Sequence, residues 1–385
     1  MDFDFSEEQQ ELRELGARIF ADLADHAGQR RTEMAAAADD ALDPRFDRRL
    51  WSALAEAGFL GLAVGEEYGG AGLGFLEACI AVEEAGRAAA PVPLTADTVL
   101  GIMPLQRFGS DETRKTWLPR LVSGEALATA ALGSVVGDPV RPAAVASRVG
   151  GDGWRLDGSL SNVASGMVAD VVTVAALSGE GTGLFLVEPD ADGLLRQRQQ
   201  ATDGRVEARI ELDGLELGAR HVLVPPGRDG DAAHRWCLER AQAALCVEIA
   251  GACRAALELT ARYTAERVQF DKPVATFQAV GQRAADAYID TEAVRLTAWQ
   301  AAWRLDRELP AAPEVAVAKF WADDGAQRVV HAAQHLHGGV GVDRDYPLHR
   351  YYLTVKHLAP SLGGATASLL RLGDLMAGAM AEAPA

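Results

Sequence analysis

The stretch Tyr263–Gln278, YTAERVQFDKPVATFQ, lies between two long segments of helical periodicity and organises the interpretation of the whole chain. Arg267 carries a planar, permanently charged guanidinium that suits a phosphate or pyrophosphate. Gln269 and Gln278 can reach ribose or base edges, and Phe270 offers an apolar face. For the short R-x-Q-F pattern alone, a polar corner between two helices with an ion pair is an equal alternative. The full stretch is more specific than this short pattern.

A second motif, His337-Gly338-Gly339-Val340-Gly341, directly follows the helical segment predicted at about residues 314–336. Together the two motifs closely resemble the carboxyl-terminal half of the flavin-dependent acyl-CoA dehydrogenase family. The resemblance covers nearly the whole chain and is strongest over residues 260–350. The segments that carry it there are YTAERVQF, ATFQAV, AVAKFWA, HLHGGVG and DYPLHR.

Composition sets the broad class of the protein. A chain of 385 residues is long enough for two or three domains. Its net charge of −18 argues against binding a nucleic-acid backbone or an anionic membrane surface. The acidic amino terminus shows no signal peptide, and no run of about twenty apolar residues predicts a membrane span. Four cysteines without a CxxC pair fit a reducing cytoplasm.

The hydrophobic period changes twice along the chain and predicts three domains of an α+β protein. Residues 1–125 have helical spacing, with a helix capped by Ser6, and residues 126–228 have the pattern of short strands. Residues 229–385 again predict helices, at about 231–266, 275–308, 314–336 and 361–378. The expected fold is a helical domain, a small β-barrel or sandwich and a four-helix bundle. This order is also that of the acyl-CoA dehydrogenase fold.

The strands predicted for the middle domain are separated by turn residues. Gly150-Gly151-Asp152-Gly153 predicts a hairpin turn. No G-x-G-x-x-G lies between a strand and a helix, which argues against a Rossmann fold. The predicted strands are Ala126–Leu132, Ala144–Val149, Trp154–Leu156, Val171–Leu177, Leu184–Val187 and Ala208–Leu212.

The glycine-rich segment Gly61–Gly74, GLAVGEEYGGAGLG, has two interpretations. It is either a phosphate-cradling loop or a loop in which backbones pack closely. No Lys-Ser/Thr follows the glycines, so a Walker A loop is not expected. Close packing is the favoured interpretation, and acyl-CoA dehydrogenases have a similar loop.

The resemblance implies an FAD site at a subunit interface. Arg267 would hold the pyrophosphate of a neighbouring subunit's flavin. Gly338 and Gly339 would let the end of a helix approach the nucleotide. The family usually has a glutamine three residues before this Gly-Gly; here His335 has that spacing and Gln334 is one residue further away, so either can serve. The candidate cofactor-binding residues are Arg267, Gln269, Phe270, Gln278, His335, Gly338 and Gly339.

Three histidines near the second motif also suggest a metal site. His331 and His335 are spaced i,i+4 on one helix face, and His337 follows. The segment His-Ala-Ala-Gln-His lacks the glutamate of a zinc protease motif, and no third ligand is evident. No metal is therefore predicted.

The reaction implied by the resemblance is α,β-dehydrogenation of an acyl-CoA thioester, in which a glutamate removes the α-proton. The family's base lies in a Tyr-Glu-Gly-Thr segment, and aligning that segment on Thr366 puts Gly364 at the base position. Some relatives carry the base in the first bundle helix, where this chain has Ala241. Glu239 and Glu248 lie nearby but out of phase. The catalytic residue is therefore not identified from the sequence.

Other parts of the family pattern also differ. Asp271 replaces the usual glycine after Gln-Phe, and a carboxylate near a pyrophosphate is unfavourable unless Lys272 offsets it. The segment that faces flavin and substrate is replaced by Leu132–Asp138. Asn162 and Ala164 stand at about the positions of the tryptophan and threonine that usually lie against the flavin ring.

Two functions fit this combination. In the first, the chain is a subunit of a heterotetrameric FAD-dependent acyl-CoA dehydrogenase, and a homologous partner supplies the base. Assemblies of this kind occur in steroid side-chain breakdown, and the chain resembles their base-lacking subunit. In the second, it is a self-sufficient flavoenzyme, for example a homotetramer, or an acyl-CoA-binding protein of the same fold. The missing carboxylate at Gly364 favours the first function.

Overall fold

The computed structural model describes residues 4–38, 43, 45–133 and 141–382 of the chain. The amino-terminal part is helical, as the sequence predicted, and a π-helical turn, Ala96–Ile102, leads directly into its fifth α-helix. The helices are α1 (Glu7–Leu23), α2 (His26–Ala38), α3 (Arg48–Glu56), α4 (Phe75–Arg87), α5 (Met103–Phe108) and α6 (Asp111–Val122).

Helix α1 begins with a capping box. Gln9 N donates to Ser6 Oγ at 3.2 Å, and Ser6 N donates to Gln9 Oε1 at 3.0 Å. These bonds satisfy amide groups that have no partner within the helix. The predicted helix start at Ser6 is confirmed. Helix α2 and the segment from Ala96 to Phe108 lie within the region predicted to be helical but were not identified as separate elements. Every residue of the π-helical turn is buried, so its sequence shows no amphipathic alternation.

The glycine-rich segment between α3 and α4 packs tightly on itself. A Cβ atom on Gly70 would lie 2.1 Å from the carbonyl oxygen of Val64. A Cβ on Gly61 would lie 2.8 Å from a methyl group of Val122 in α6. A side chain at Gly70 would clash with the backbone of Val64, and one at Gly61 would clash with the side chain of Val122, so both positions favour glycine. The structure thus supports the close-packed loop over the phosphate cradle.

The middle of the chain forms one eight-stranded mixed sheet. The spatial order is β6-β7-β3-β2-β4-β5-β8, and β1 pairs in parallel with β4. The buried core of this sheet includes Trp154, Leu156, Phe185 and Ile210. The strands are β1 (Ala128–Ala131), β2 (Ala144–Val149), β3 (Gly153–Ala164), β4 (Val171–Ser178), β5 (Gly181–Val187), β6 (Leu194–Gln200), β7 (Val206–Leu217) and β8 (Val222–Val224).

The hairpin turn predicted at Gly150 joins β2 to its antiparallel neighbour β3, and Gly150 and Gly151 have positive φ. Strand β3 is much longer than the predicted Trp154–Leu156, because two register shifts let it continue to Ala164. Strands β6 and β8 were missed. Both are the terminal strands in the spatial order of the sheet. Strand β6 has the polar sequence LLRQRQQ, which is more typical of an edge strand than of a buried one.

The carboxyl-terminal part is helical apart from a small two-stranded hairpin. The predicted long helices are present, and α11 is an additional helix that the sequence analysis missed. The π-helical turn Trp321–Gly325 joins α9 to α10. The elements are α7 (Arg228–Glu266), β9 (Val268–Gln269), β10 (Lys272–Pro273), α8 (Gln278–Asp306), α9 (Ala312–Phe320), α10 (Ala326–His337), α11 (Leu348–Leu358) and α12 (Ala365–Glu382).

The chain divides into two compact units. The first contains the described parts of Met1–Arg30, Cys79–Ala90 and Gln242–Ala385, and the second those of Arg31–Ala78 and Pro91–Ala241. In the first unit, the buried carboxylate of Glu83 accepts from the Arg13 guanidinium at 2.7 Å and from Trp299 Nε1 at 3.1 Å. These bonds fasten α1 and α4 to α8 in the carboxyl-terminal part. Among the described residues, no helix has the length and apolarity needed to cross a membrane.

Candidate cofactor-binding site

The stretch Tyr263–Gln278 folds into a tight hairpin between two long helices. Helix α7 ends at Glu266, and β9 pairs antiparallel with β10 through Gln269–Lys272 and Val268–Pro273. The amide of Arg267 donates to Tyr263 O, and the amide of Val274 donates to Arg267 O, both at 2.8 Å. The backbone of Arg267 is therefore fixed on both sides, while its side chain is exposed.

The two residues at the tip of the hairpin, Phe270 and Asp271, have φ values of +54° and +65°. Positive φ at both central positions is typical of a type I′ turn, which accepts glycine, asparagine or aspartate. Asp271 can thus replace the family's glycine with little backbone strain. Among the described residues, no ion pair joins Asp271 to Lys272; the Lys272 ammonium instead lies 4.4 Å from the ring centre of Phe277.

Phe270 is unusual because a bulky residue rarely adopts positive φ. Its side chain is 85% exposed, and its ring meets Phe277 edge-on at 6.1 Å. An exposed aromatic ring held in a strained backbone conformation is the kind of feature found at ligand-binding sites. Phe270 thus presents an exposed apolar ring on the same hairpin that follows Arg267.

The second motif forms an open turn at the end of α10. Gly338 has φ +61° and ψ −136°, a conformation that favours glycine. A Cβ on Gly338 or Gly339 would meet nothing within 4 Å, so the outer side of this turn is open. Gln334 Nε2 donates to Gly338 O at 3.0 Å and so supports the turn, whereas His335 is exposed. Of the two alternatives, His335 is the one whose side chain faces outward.

Stacked aromatic rings join the two motifs. Tyr263, one helical turn before Arg267, stacks on His337, immediately before Gly338, with ring centres 4.4 Å apart. His337 Nδ1 lies 2.8 Å from Ala333 O, and Nε2 lies 3.1 Å from the Tyr346 hydroxyl. Burial lowers the pKa of His337. The neutral ring, which donates from Nδ1 and accepts at Nε2, satisfies both contacts.

The histidines have structural contacts. His337 is buried in the stack just described, and His331 stacks on Tyr352 at 5.5 Å. No group of three potential ligands that could hold a metal ion is found in the described part of the chain. The i,i+4 pair of His331 and His335 is therefore not part of a wider ligand cluster there.

All seven candidate residues lie in the first compact unit and have exposed side chains or backbones. Gln278 is the first residue of α8, and Gln269 turns its amide back to Val268 O at 3.0 Å. An exposed guanidinium, an exposed aromatic ring and an open glycine turn fit the pyrophosphate and the flat base of a dinucleotide. The lone chain leaves this face uncovered.

Neither position of the family's base carries a carboxylate. Gly364 lies just before α12, and a Cβ there would stand 2.8 Å from Asp323 Oδ2. Ala241 is fully buried in α7. Glu248 is buried on the same helix, and Glu239 is half-buried. Asp323 cannot be recognised from the sequence, since no motif links it to Gly364, 41 residues away.

The remaining family segment is described only in part. Residues 134–140, within and after the expected flavin-facing segment Leu132–Asp138, lie outside the described residues. Asn162 donates from Nδ2 to Glu207 Oε2 at 2.8 Å, and the carbonyl of Ala164 accepts from Thr129 Oγ1 at 2.7 Å. Both residues are thus engaged within the sheet.

Comparison with known families identifies the class of protein. Residues 6–125 match the acyl-CoA dehydrogenase N-terminal domain, and residues 228–372 match the acyl-CoA dehydrogenase C-terminal domain. The chain belongs to the acyl-CoA dehydrogenase family, so it is of the oxidoreductase type that acts on the CH–CH group of acyl-CoA thioesters. The α+β fold and the family predicted from the sequence are confirmed, and FAD is the family's cofactor.

Individual related proteins give more specific comparisons than the family as a whole. The chain is 39% identical to acyl-CoA dehydrogenase FadE27 of Mycobacterium tuberculosis over 355 residues, which cover 90% of this chain and 91% of that one. The ChsE4-ChsE5 complex of Mycobacterium tuberculosis has a TM-score of 0.90 and 38% identity, with full coverage of both chains. A variant of the Tcur3481-Tcur3483 steroid acyl-CoA dehydrogenase has a TM-score of 0.89 and 42% identity, covering 98% of this chain and 99% of that one.

Proposed function

We propose that the chain is one subunit of a heteromeric FAD-dependent acyl-CoA dehydrogenase and that a homologous partner supplies the catalytic base. The observation that carries the proposal is a contrast within the chain. The exposed residues expected to bind the flavin nucleotide are retained. The two positions at which the family can carry its base are instead occupied by Gly364 and Ala241. A chain with this combination can bind the cofactor and needs another chain to remove the α-proton.

In this proposal the residues of this chain hold the nucleotide end of FAD. Arg267 would hold the pyrophosphate, because its planar guanidinium suits paired oxygen acceptors and its backbone is fixed by the hairpin. Phe270, Gln269, Gln278 and His335 would contact the nucleotide, and the open turn at Gly338-Gly339 would let the end of α10 approach it. When bound, FAD accepts the hydride that leaves the β-carbon of the acyl group.

Exposed apolar side chains on the hairpin and on the helix that follows it support a subunit interface. Val268 and Phe270 on the hairpin are 53% and 85% exposed, and Tyr288 and Ile289 on the first half of α8 are 53% and 63% exposed. Such a group of apolar side chains is expected to be covered by another subunit. The similar structures of ChsE4-ChsE5 and Tcur3481-Tcur3483 are complexes of two named chains.

The substrate class is proposed to be an acyl-CoA, with a steroid-derived acyl group as the expected case. The steroid description belongs to the similar Tcur3481-Tcur3483 enzyme.

We also propose a cytoplasmic location. It is supported by the four cysteines, which all lie in described residues and are buried and free of disulfides.

Replacement of Arg267 tests the flavin contact. In the complex with its partner, Arg267→Ala should weaken FAD binding by about tenfold or more, because charge-assisted hydrogen bonds contribute about 1.5–3 kcal/mol. FAD retention after gel filtration, read from flavin absorption per protein, measures the effect. Arg267→Lys should show an intermediate loss, since an ammonium keeps the charge but lacks the planar fork.

Arg307→Ala is a matched control, because Arg307 is an exposed arginine after the far end of α8, with 66% of its side chain accessible. Its flavin content should equal that of the unaltered complex. Equal flavin retention in the Arg267→Ala and Arg307→Ala complexes would show that Arg267 does not hold the pyrophosphate.

A further inference from the structure

The turn between α11 and α12, Ala359–Gly364, contains the position of the missing base and is fixed by two buried side chains from other helices. Lys319 of α9 is completely buried, and its Nζ donates to Ala359 O at 2.9 Å and to Ser361 O at 2.8 Å. Gln242 of α7 donates from Nε2 to Leu362 O at 2.7 Å. The turn thus has little freedom to move away from its neighbours.

The carboxylate of Asp323 stands where a side chain at position 364 would begin. Asp323 belongs to the π-helical turn Trp321–Gly325, and its Oδ2 accepts a hydrogen bond from Ala365 N at 2.6 Å. This bond satisfies an amide group at the start of α12. The same oxygen lies 2.8 Å from the ideal Cβ position of Gly364, and real Cβ atoms essentially never come within 3.0 Å of another atom.

We propose that Asp323 and Gly364 form a mutually exclusive pair that closes the position of the family's base in this chain. Asp323 is a positioning residue that caps α12 and takes up the space in which a catalytic side chain would start. Its Oδ2 is directed at the helix start and is not free to turn toward a substrate. The inference rests on the proposed function, and it explains how the chain remains well packed without a base.

The exclusion of a side chain at position 364 depends on Lys319 and Gln242, which hold the turn in place. If the turn were loose, it could shift by a few tenths of an ångström and admit a Cβ beside Asp323. Lys319 and Gln242 instead hold three of its carbonyl groups. A side chain at 364 must therefore displace the Asp323 carboxylate and break its bond to Ala365 N.

A double-mutant cycle on the full chain tests the pair. Gly364→Ala should lower Tm by roughly 1–2 °C, which is the shift that loss of one helix cap produces in a protein of 385 residues. In an Asp323→Ala background, Gly364→Ala should lower Tm by less than about 0.5 °C, because the obstructing carboxylate is gone. Equal Tm losses in the two backgrounds would overturn the pair.

The second measurement is the kcat of the complex with the partner subunit. Asp323→Asn keeps an oxygen that can accept from Ala365 N, so kcat should remain within about twofold and the pH profile should be unchanged. A fall in kcat by a factor of about 100 or more at an unchanged Tm would make Asp323 itself the base and overturn the proposal. Dehydrogenase activity of the unaltered lone chain would instead contradict the proposed function. The Tm cycle would still decide whether Asp323 and a side chain at position 364 exclude each other.

Discussion

Asp97 shows how a single residue can set the pH dependence of stability. It lies on the π-helical turn before α5 and is completely buried. Oδ1 accepts from Ala128 N at 2.8 Å, and Oδ2 has no hydrogen-bond partner among the described residues. Burial raises the pKa of this carboxyl well above its usual value, and the neighbouring Asp170 raises it further. The neutral acid is therefore the form that the fold accommodates.

We predict that Asp97→Asn stabilises the protein increasingly as the pH rises. Between the ordinary pKa of aspartate and the raised pKa in the folded state, the folded protein binds more protons than the unfolded chain, so stability falls with increasing pH. Asparagine keeps the acceptor for Ala128 N and has no proton to lose. The difference in unfolding free energy between variant and wild type should grow by up to about 1.4 kcal/mol per pH unit in this window.

Thermal unfolding of both proteins from pH 5 to pH 8 measures this difference. The gap in Tm should widen steadily with pH until the folded-state pKa is passed. A gap that stays constant across the range would show that Asp97 is not protonated in the folded state.

Among the elements, the β9–β10 hairpin shows how local sequence fixes the backbone of Arg267, the residue proposed to hold the pyrophosphate. Its two central residues have positive φ, and the bond from Val274 N to Arg267 O closes its base. Aspartate tolerates the left-handed region, glycine adopts it freely, and a β-branched residue does not. The identity of residue 271 therefore controls how firmly the Arg267 backbone is held.

We predict that Asp271→Gly preserves the hairpin and that Asp271→Val opens it. A β-branched residue at positive φ costs about 1–2 kcal/mol, which corresponds to a local opening about ten times more frequent. Amide hydrogen exchange at Val274 measures this opening directly, and the glycine variant is the matched control. The idea is wrong if Val274 exchanges at the same rate in both variants.

The sequence predicted those elements that carry their own local signals. Ser6 predicts the start of α1, and Gly150-Gly151-Asp152-Gly153 predicts the β2–β3 turn. Helix α11 and strand β6 were missed because their polar residues hide the hydrophobic period. Asp323 was missed for a different reason: its role depends on a long-range contact with Gly364, and neither residue belongs to a motif that specifies the other. The hairpin residues were recognisable because they are close together in sequence.

For the whole molecule, the proposed function combines an exposed face for the nucleotide with a chain that has no carboxylate at the base position. The face includes Arg267, Phe270 and the Gly338-Gly339 turn, all exposed in the lone chain. The base position holds Gly364, and the Asp323 carboxylate fills the adjoining space. In the proposed function, a homologous subunit covers this face and removes the α-proton.

The most direct test of this claim is an anaerobic titration with acyl-CoA, followed by bleaching of the visible flavin absorption. It compares the lone chain supplied with FAD against the complex formed by co-expression with a homologous chain encoded beside it. The account predicts that the flavin of the complex bleaches and that any flavin held by the lone chain does not. Rapid bleaching of the lone chain's flavin, at the rate of the complex, would contradict the account and identify a self-sufficient dehydrogenase.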